Sequence, residues 1–256
     1  MQLDPIAVAA GLRLVALAGV GSTNAEARIR ARQGERAPLW VTAVSQTAGR
    51  GRMDRSWASP PGNLYASLLL REPSPHDRAP ELAFVAALAL RDAIIDEAPE
   101  LAPQLAFKWP NDVLLAGDKC AGILIEGEVE PDKSVTVVIG IGVNCASHPP
   151  HAAYPATDLR AHGAAITPER LFARLSATMC RRIAQWNCGR GFPAVLADWR
   201  AAARGIGEDV TVRNGAGAKH GRFIGLDQSG RLVLELHGGG IEKISAGDVF
   251  PFELQV

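Results

Sequence analysis

Gln46-Thr47-Ala48-Gly49-Arg50-Gly51-Arg52-Met53-Asp54-Arg55-Ser56-Trp57 follows one apolar run over residues 39–46 and precedes another over residues 63–71. The period-two character of the first run and the apolar second run predict two strands. Between them, residues 47–62 are rich in glycine, arginine and proline and predict a long loop. Glycine lets backbone approach an anion closely, and the arginine fork matches carboxylate and phosphate oxygens in pairs. Two common phosphate loops are excluded. A dinucleotide fingerprint needs a third glycine and a following helix, and Ser56-Trp57-Ala58-Ser59-Pro60-Pro61 cannot open one. A Walker A loop needs Gly-Lys-Ser/Thr, which does not occur. Standing alone, the loop reads equally well as a solvated basic segment.

Outward from this loop, strands and helices succeed one another. Asp4-Pro5 supplies a cap and a first-turn proline for a short helix through Ala10. Residues 12–18 predict a strand. Thr23-Asn24-Ala25-Glu26 has the form of a capping box for a helix to about Gln33. Residues 80–98 are Ala/Leu-rich and helical, and residues 105–109 form a short strand ended by Pro110. Apolar runs at 119–129 and 134–144, joined by Glu130-Pro131-Asp132-Lys133, predict a hairpin. Residues 148–157 predict a second loop. Thr167-Pro168 caps a helix to about Trp186, and Phe192-Pro193 opens another that ends near Ala203. Past Gly205, short β-type runs at 210–213, 221–226, 232–236 and 241–244 alternate with glycine-rich turns. That pattern predicts a separate small β-barrel of about fifty residues.

Composition narrows the function. Hydrophobic residues make up 47% of the 256, enough for a packed core. The 27 Lys and Arg balance 27 Asp and Glu, so the chain is no general nucleic-acid binder and any basic site serves a local anion. The four cysteines form no Cys-x-x-Cys pair and read as reduced thiols of a cytoplasmic protein. The N-terminus has no secretory form, and no apolar run reaches the ~18 residues of a membrane span. His76, His148, His151, His162, His220 and His237 are scattered through loops and turns, and none is assigned to catalysis.

Three further motifs follow. Lys108-Trp109-Pro110-Asn111-Asp112 ends an apolar strand with a lysine. Lys119-Cys120-Ala121-Gly122-Ile123-Leu124-Ile125-Glu126-Gly127 has small residues suited to close backbone approach. Gly140-Ile141-Gly142-Val143-Asn144 interrupts a strand with glycines, which calls for a bulge or a nearby ligand. Each is weak alone. Together with Ser22-Thr23-Asn24 and the Gly-Arg-Gly-Arg loop, in this order, they resemble the catalytic and C-terminal domains of the biotin–protein ligase family over residues 12–256. Two departures stand out. Met53-Asp54 replaces the basic residue and glycine that often follow the family's Gly-Arg-Gly-Arg, so that end of the loop is expected to be stiffer and less positive. Only 21 residues precede Ser22, too few for the DNA-binding winged helix of some members.

The resemblance implies an α+β fold. A mixed β-sheet catalytic domain flanked by helices, of the class II aminoacyl-tRNA synthetase and biotin ligase kind, is expected over residues 1–204. An SH3-like β-barrel is expected over 205–256. It also implies ATP and Mg²⁺, with biotin as substrate. The partner is a biotin carboxyl carrier protein or domain of a carboxylase; neither DNA nor membrane is a partner, and a homodimer stays open. Lys108, Arg52 and Asp112 are the candidate catalytic residues. Lys108 is expected near the biotin carboxylate and the α-phosphate, and Asp112 orients or deprotonates the acceptor amine. Arg50 and Arg52, with Gly49 and Gly51, belong to a loop that closes over biotin and phosphate. Ser22, Thr23 and Gln46 supply polar contacts to the ureido ring, with Asn24 and Gly122 nearby. Asn111, Asp112, Lys119 and Asn144 line the nucleotide side. Trp57 either covers the adenylate or anchors the loop. The alternatives are a lipoate or octanoate transferase relative and, in a different class, a non-enzymatic RNA-binding module using Arg50, Arg52 and Arg55.

Overall fold

The computed structural model describes residues 1–129, 134–150, 155–215 and 217–251. The turn expected at 130–133, and residues 151–154 of the second loop, lie outside them. Helix α1 (Pro5–Ala9) is capped by Asp4, whose carboxylate accepts from the Ile6 N–H at 2.9 Å. Strands β1 (Arg13–Val20) and β2 (Leu39–Gln46) are parallel, and α2 (Thr23–Arg32) is the crossover between them. There follow β3 (Leu64–Arg71), α3 (Leu82–Glu97), β4 (Leu105–Lys108), β5 (Asp112–Leu115), β6 (Asp118–Val129) and β7 (Val135–Val143). Helices α4 (Pro168–Trp186) and α5 (Phe192–Ala201) complete the larger part. Its seven strands form one mixed sheet in the order β1-β2-β3-β7-β6-β5-β4, antiparallel except for the first pair.

Alternation along the central strands decides what lies on each face. Trp40, Leu64, Leu68, Ile139 and Ile141 point to the face covered by α3, which is apolar nearly all round because α4 and α5 enclose it from outside. Trp40 is fully buried there, edge-on to Phe172 of α4. Leu39, Val41, Leu69 and Val138 point the other way and pack under Ala27 and Ala31 of α2. The helix α4 starts as its sequence predicts: Thr167 Oγ accepts from the Arg170 N–H at 3.3 Å, and Pro168 occupies the first turn.

The expected capping box at Thr23 does not form. Ser22 is the N-cap and makes no side-chain cap bond, Glu26 pairs with Arg30, and the Thr23 hydroxyl is engaged by Gln46 and Ser67 instead. Strand β5 is not predicted by the sequence. It lies within four residues of β4 and owes its existence to antiparallel pairing on both sides.

The C-terminal strands β8 (Asp209–Asn214), β9 (Gly217–Leu226), β10 (Leu232–Leu236), β11 (Ile241–Ile244) and β12 (Asp248–Pro251) form a second, antiparallel sheet in the order β11-β10-β9-β8-β12. The expected SH3-like closure is not seen: among the described residues β11 and β12 are the two edges of an open ladder. Strand β12, not anticipated, brings Asp248 back toward the larger sheet. The β9–β10 turn docks on α3 and α5. Trp109 Nε1 donates to the Gly230 carbonyl at 2.9 Å, and a Cβ on Gly230 would lie 2.7 Å from Phe84 Cζ.

Gly230 also has φ +76°. Gly230→Ala therefore adds left-handed strain to an overpacked contact and should cost about 2–4 kcal/mol. Gly238→Ala, with nothing within 4 Å of the added carbon, is the control and should be near neutral. Urea midpoints of the two variants test this; equal midpoints would mean that the turn is not wedged against Phe84.

Candidate active site

On the α2 face, beyond the apolar patch under that helix, the sheet loses its side chains. Gly122, Gly140 and Gly142 lie side by side, since Gly122 pairs with Gly142 and Ser67 with Gly140. A Cβ at 142 would lie 2.7 Å from Trp57 Nε1, one at 122 would lie 3.2 Å from Trp57 Cζ3, and one at 140 would overlap the Asn24 amide. The glycine-interrupted strand is thus explained by side chains lying flat on its backbone. Around this floor is a cavity of about 380 Å³. Ser22, Thr23, Asn24, Gln46, Arg50, Gly51, Arg52, Trp57, Lys108, Asn111, Asp112, Lys119, Gly122 and Asn144 all line it. Gly49 does not; its bare Cα lets the loop close against Ser59 Oγ and the Trp57 carbonyl, each 2.5 Å from where a Cβ would stand. No histidine lines the cavity among the described residues.

The Gly-Arg-Gly-Arg segment folds back on itself. Gly51 N–H donates to the Arg55 carbonyl at 2.7 Å and Trp57 N–H to the Gly49 carbonyl at 2.9 Å. At the tip, Met53 and Asp54 both have φ of 53°, a left-handed conformation that costs non-glycine residues free energy. The arginines of this loop are engaged by the protein itself. Arg50 is 3.7 Å from Glu126, Arg52 donates to Asn111 Oδ1 at 3.3 Å and to the Gly247 carbonyl at 3.2 Å, and Arg55 pairs with Asp248 at 2.9 Å. The loop is therefore bonded to the second sheet, whose Asp248 and Val249 form part of the cavity wall. Sequence reasoning placed no site residue there. It missed them because an isolated Asp-Val pair in a short late strand carries no pattern of its own.

Lys108 ends β4 opposite Asp112, with Nζ 5.5 Å from the Phe250 ring centroid. Burial holds its pKa below the ordinary lysine value; Asp112 and Asp248 oppose the shift, while Lys119 and Arg55 add to it. Asp112 is salt-bridged to Lys119 at 2.6 Å, and Lys119 Nζ also sits 5.4 Å from the Trp57 ring centroid. Two predicted amides are held by backbone: Asn111 Nδ2 donates to the Ile123 carbonyl at 2.6 Å and Asn144 Nδ2 to the Thr157 carbonyl at 3.0 Å. Tyr65, on the floor, donates to the Pro60 carbonyl and is pushed up to about 12 by burial, so it stays a neutral phenol.

A cavity that combines apolar walls with a half-buried lysine, two loop arginines and several amides is of the kind that binds a small, partly apolar anionic ligand. The sequence matches the biotin/lipoate A/B protein ligase family over residues 21–144 and the biotin protein ligase C-terminal domain over residues 205–250. It is 41% identical to a biotin–[acetyl-CoA-carboxylase] ligase of Paracoccus denitrificans over 240 residues, covering 91% of this chain and 98% of that one. A ligase of the same description from Mycobacterium tuberculosis is 36% identical, over 93% of this chain and 88% of its own. In structure, the biotin protein ligase of Aquifex aeolicus in complex with biotin and ATP superposes with a TM-score of 0.74 at 25% identity, covering 93% and 97% of the two chains. The chain belongs to the biotin–protein ligase family.

The Arg55–Asp248 pair is part-exposed, so it contributes no more than about 1 kcal/mol. Asp248→Ala should leave the unfolding midpoint nearly unchanged yet speed tryptic cleavage after Arg50 or Arg52 about threefold. Unaltered cleavage would show that the second sheet does not hold the loop.

Proposed function

We propose that the chain forms biotinyl-5′-AMP from biotin and ATP and then passes the biotinyl group to a lysine of a biotin carboxyl carrier protein or carrier domain of a carboxylase. The observation that carries this reading is that one cavity is lined by Ser22, Thr23 and Gln46, by Lys108, and by Asn111, Asp112, Lys119 and Asn144. On this reading the first three bind the ureido ring, Lys108 meets the carboxylate and α-phosphate, and the last four form the nucleotide side.

In the first step a biotin carboxylate oxygen attacks the α-phosphorus and pyrophosphate leaves. Both reactants are anions, and Lys108 offsets their repulsion while Arg50 and Arg52 exchange protein partners for phosphate. Magnesium belongs with the nucleotide. The described residues hold no group of three or more candidate metal-binding side chains, which fits an ion that is held largely by phosphate oxygens. Asp112 or Asp248 would add a carboxylate, and the ion would neutralise phosphate charge. In the second step the neutral amine of the carrier attacks the acyl carbon, AMP departs and the nitrogen loses a proton. The 2.6 Å pairing of Asp112 with Lys119 favours an orienting role for Asp112 over that of a base. Trp57, lying over Gly122 and Gly142, keeps water from the mixed anhydride.

On the same reading residues 1–204 are the catalytic domain and 205–256 the appended one. The second sheet then contributes to the adenylation step through Asp248 as well as to carrier docking. The enzyme acts in the cytoplasm without DNA or membrane; no helix among the described residues is long and apolar enough to cross a membrane.

Lys108→Ala should lower biotin-dependent ATP–pyrophosphate exchange about a hundredfold or more in a folded protein. Normal exchange would remove Lys108 from the mechanism, and exchange with lipoate in place of biotin would favour the lipoate branch of the family. The pH profile adds a second check. A lysine with a lowered pKa is charged below that pKa and loses its charge as pH rises through it, so kcat/KM should fall on the alkaline side earlier than for an ordinary lysine. Lys108→Arg should move that limb upward. An unmoved limb would assign it to another group.

A further inference from the structure

We propose that Ser67, Asn24 and Glu126 are positioning residues that fix the Thr23 hydroxyl as a hydrogen-bond acceptor toward the cavity, so that this end of the site selects a ligand N–H. The inference rests on the biotin reading and names how that ligand is recognised.

Polarity is set at Glu126. Its carboxylate can only accept, and Asn24 lies 2.8 Å away through Nδ2, which fixes the orientation of the amide. Arg28, at 3.2 Å, and Arg50, at 3.7 Å, hold the other carboxylate oxygen. With its nitrogen turned to Glu126, Asn24 turns Oδ1 to the fully buried Ser67 hydroxyl, 2.6 Å away. Two oxygens at that distance need a proton between them, and an amide oxygen has none. Ser67 therefore donates to Asn24. A hydroxyl has one proton, so toward Thr23 Oγ1, at 2.8 Å, Ser67 has only a lone pair to offer.

The other neighbour of the Thr23 hydroxyl is Gln46 Oε1, at 3.1 Å. That oxygen also accepts the Thr23 backbone N–H at 2.8 Å, and Gln46 Nε2 is used by Ser59 at 2.9 Å. A backbone N–H can only donate, so the orientation of Gln46 is fixed too. Both partners of the Thr23 hydroxyl are thus acceptors. Its proton stays within the protein whichever one it takes, and lone pairs face the cavity. A ureido ring offers N–H groups to such a site, whereas a dithiolane offers none. A site built around a hydrogen bond rejects the analogue that leaves its groups unpaired. Ser67 is the one serine in a strand of mostly apolar residues, which is why its sequence context gives no sign of this role.

The test is titration calorimetry without ATP on the full chain, using biotin and the two isosteric cyclic carbamates in which one ureido N–H is replaced by oxygen. The wild-type chain should prefer biotin over one of the two isomers by about a hundredfold or more. Glu126→Gln, nearly isosteric, lets the Asn24 amide turn over and frees the Ser67 proton for Thr23, which leaves the 3.1 Å contact to Gln46 Oε1 alone to keep the Thr23 proton from turning to the cavity. The preference should fall on the order of tenfold. Ser67→Ala should act likewise. The double variant Asn24→Asp with Glu126→Gln exchanges the carboxylate and the amide and keeps the charge of the pair. Ser67 again meets only an acceptor, so the preference should return. A role confined to packing predicts no such return. Single variants with the wild-type preference, or a double variant no better than the singles, overturn the inference. A wild-type chain that binds no biotin overturns the biotin reading, and the inference falls with it.

Discussion

The site depends on a stretch of sheet with no side chains on one face. Gly122, Gly140 and Gly142 expose backbone where β6 and β7 meet, and the Asn24 amide and Trp57 indole lie directly on it. A single methyl at 140 or 142 would push one of them away. Strands lose stability through such glycines. The loss is offset on the opposite face, where Ile123, Ile139 and Ile141 of the same strands bury fully against α3. The sheet is therefore built as core on one side and as binding floor on the other, and period-two alternation makes both possible within nine residues of β7.

Above that floor the charges are arranged in pairs. Arg50 faces Glu126, Arg55 faces Asp248 and Lys119 faces Asp112. Lys108 differs in that burial works against its charge. An anion arriving beside it gains more than one arriving beside an exposed pair, because that lysine is partly desolvated already. The paired arginines do the opposite: they must give up a protein contact to take a phosphate, so their contribution is smaller and is tied to movement of the loop.

Much of this was legible in the sequence, in proportion to how local the cause was. Thr167-Pro168 starts α4 because a cap and a first-turn proline act within one turn. The ordered motifs supply most of the cavity lining, while Ala58, Tyr65, Pro149, Ala156, Asp248 and Val249 lie outside them. What failed was non-local. Thr23 was read as part of a capping box, but Gln46 and Ser67, from other strands, take its hydroxyl. Strand β5 has four residues and depends on its neighbours for pairing. Asp248 reaches the cavity through the order of a second sheet, which no spacing in the sequence reveals. The glycines were recognised as needing a close neighbour, yet that neighbour proved to be the chain's own Trp57 and Asn24.

The weakness of the loop's fastenings follows from the task. A site that must admit two substrates, exclude water from a mixed anhydride and then meet a carrier lysine has to open and shut repeatedly. Part-exposed ion pairs such as Arg55–Asp248 contribute up to about 1 kcal/mol each. Left-handed backbone at Met53 and Asp54 subtracts about 1–2 kcal/mol each. Strain therefore opposes the fastenings, while Trp57 seated on Gly142 fixes the register of the loop on the sheet. A stronger latch would retain the adenylate but also bar the carrier. That balance explains why the fastening is built from surface charges between two sheets rather than from a buried apolar plug.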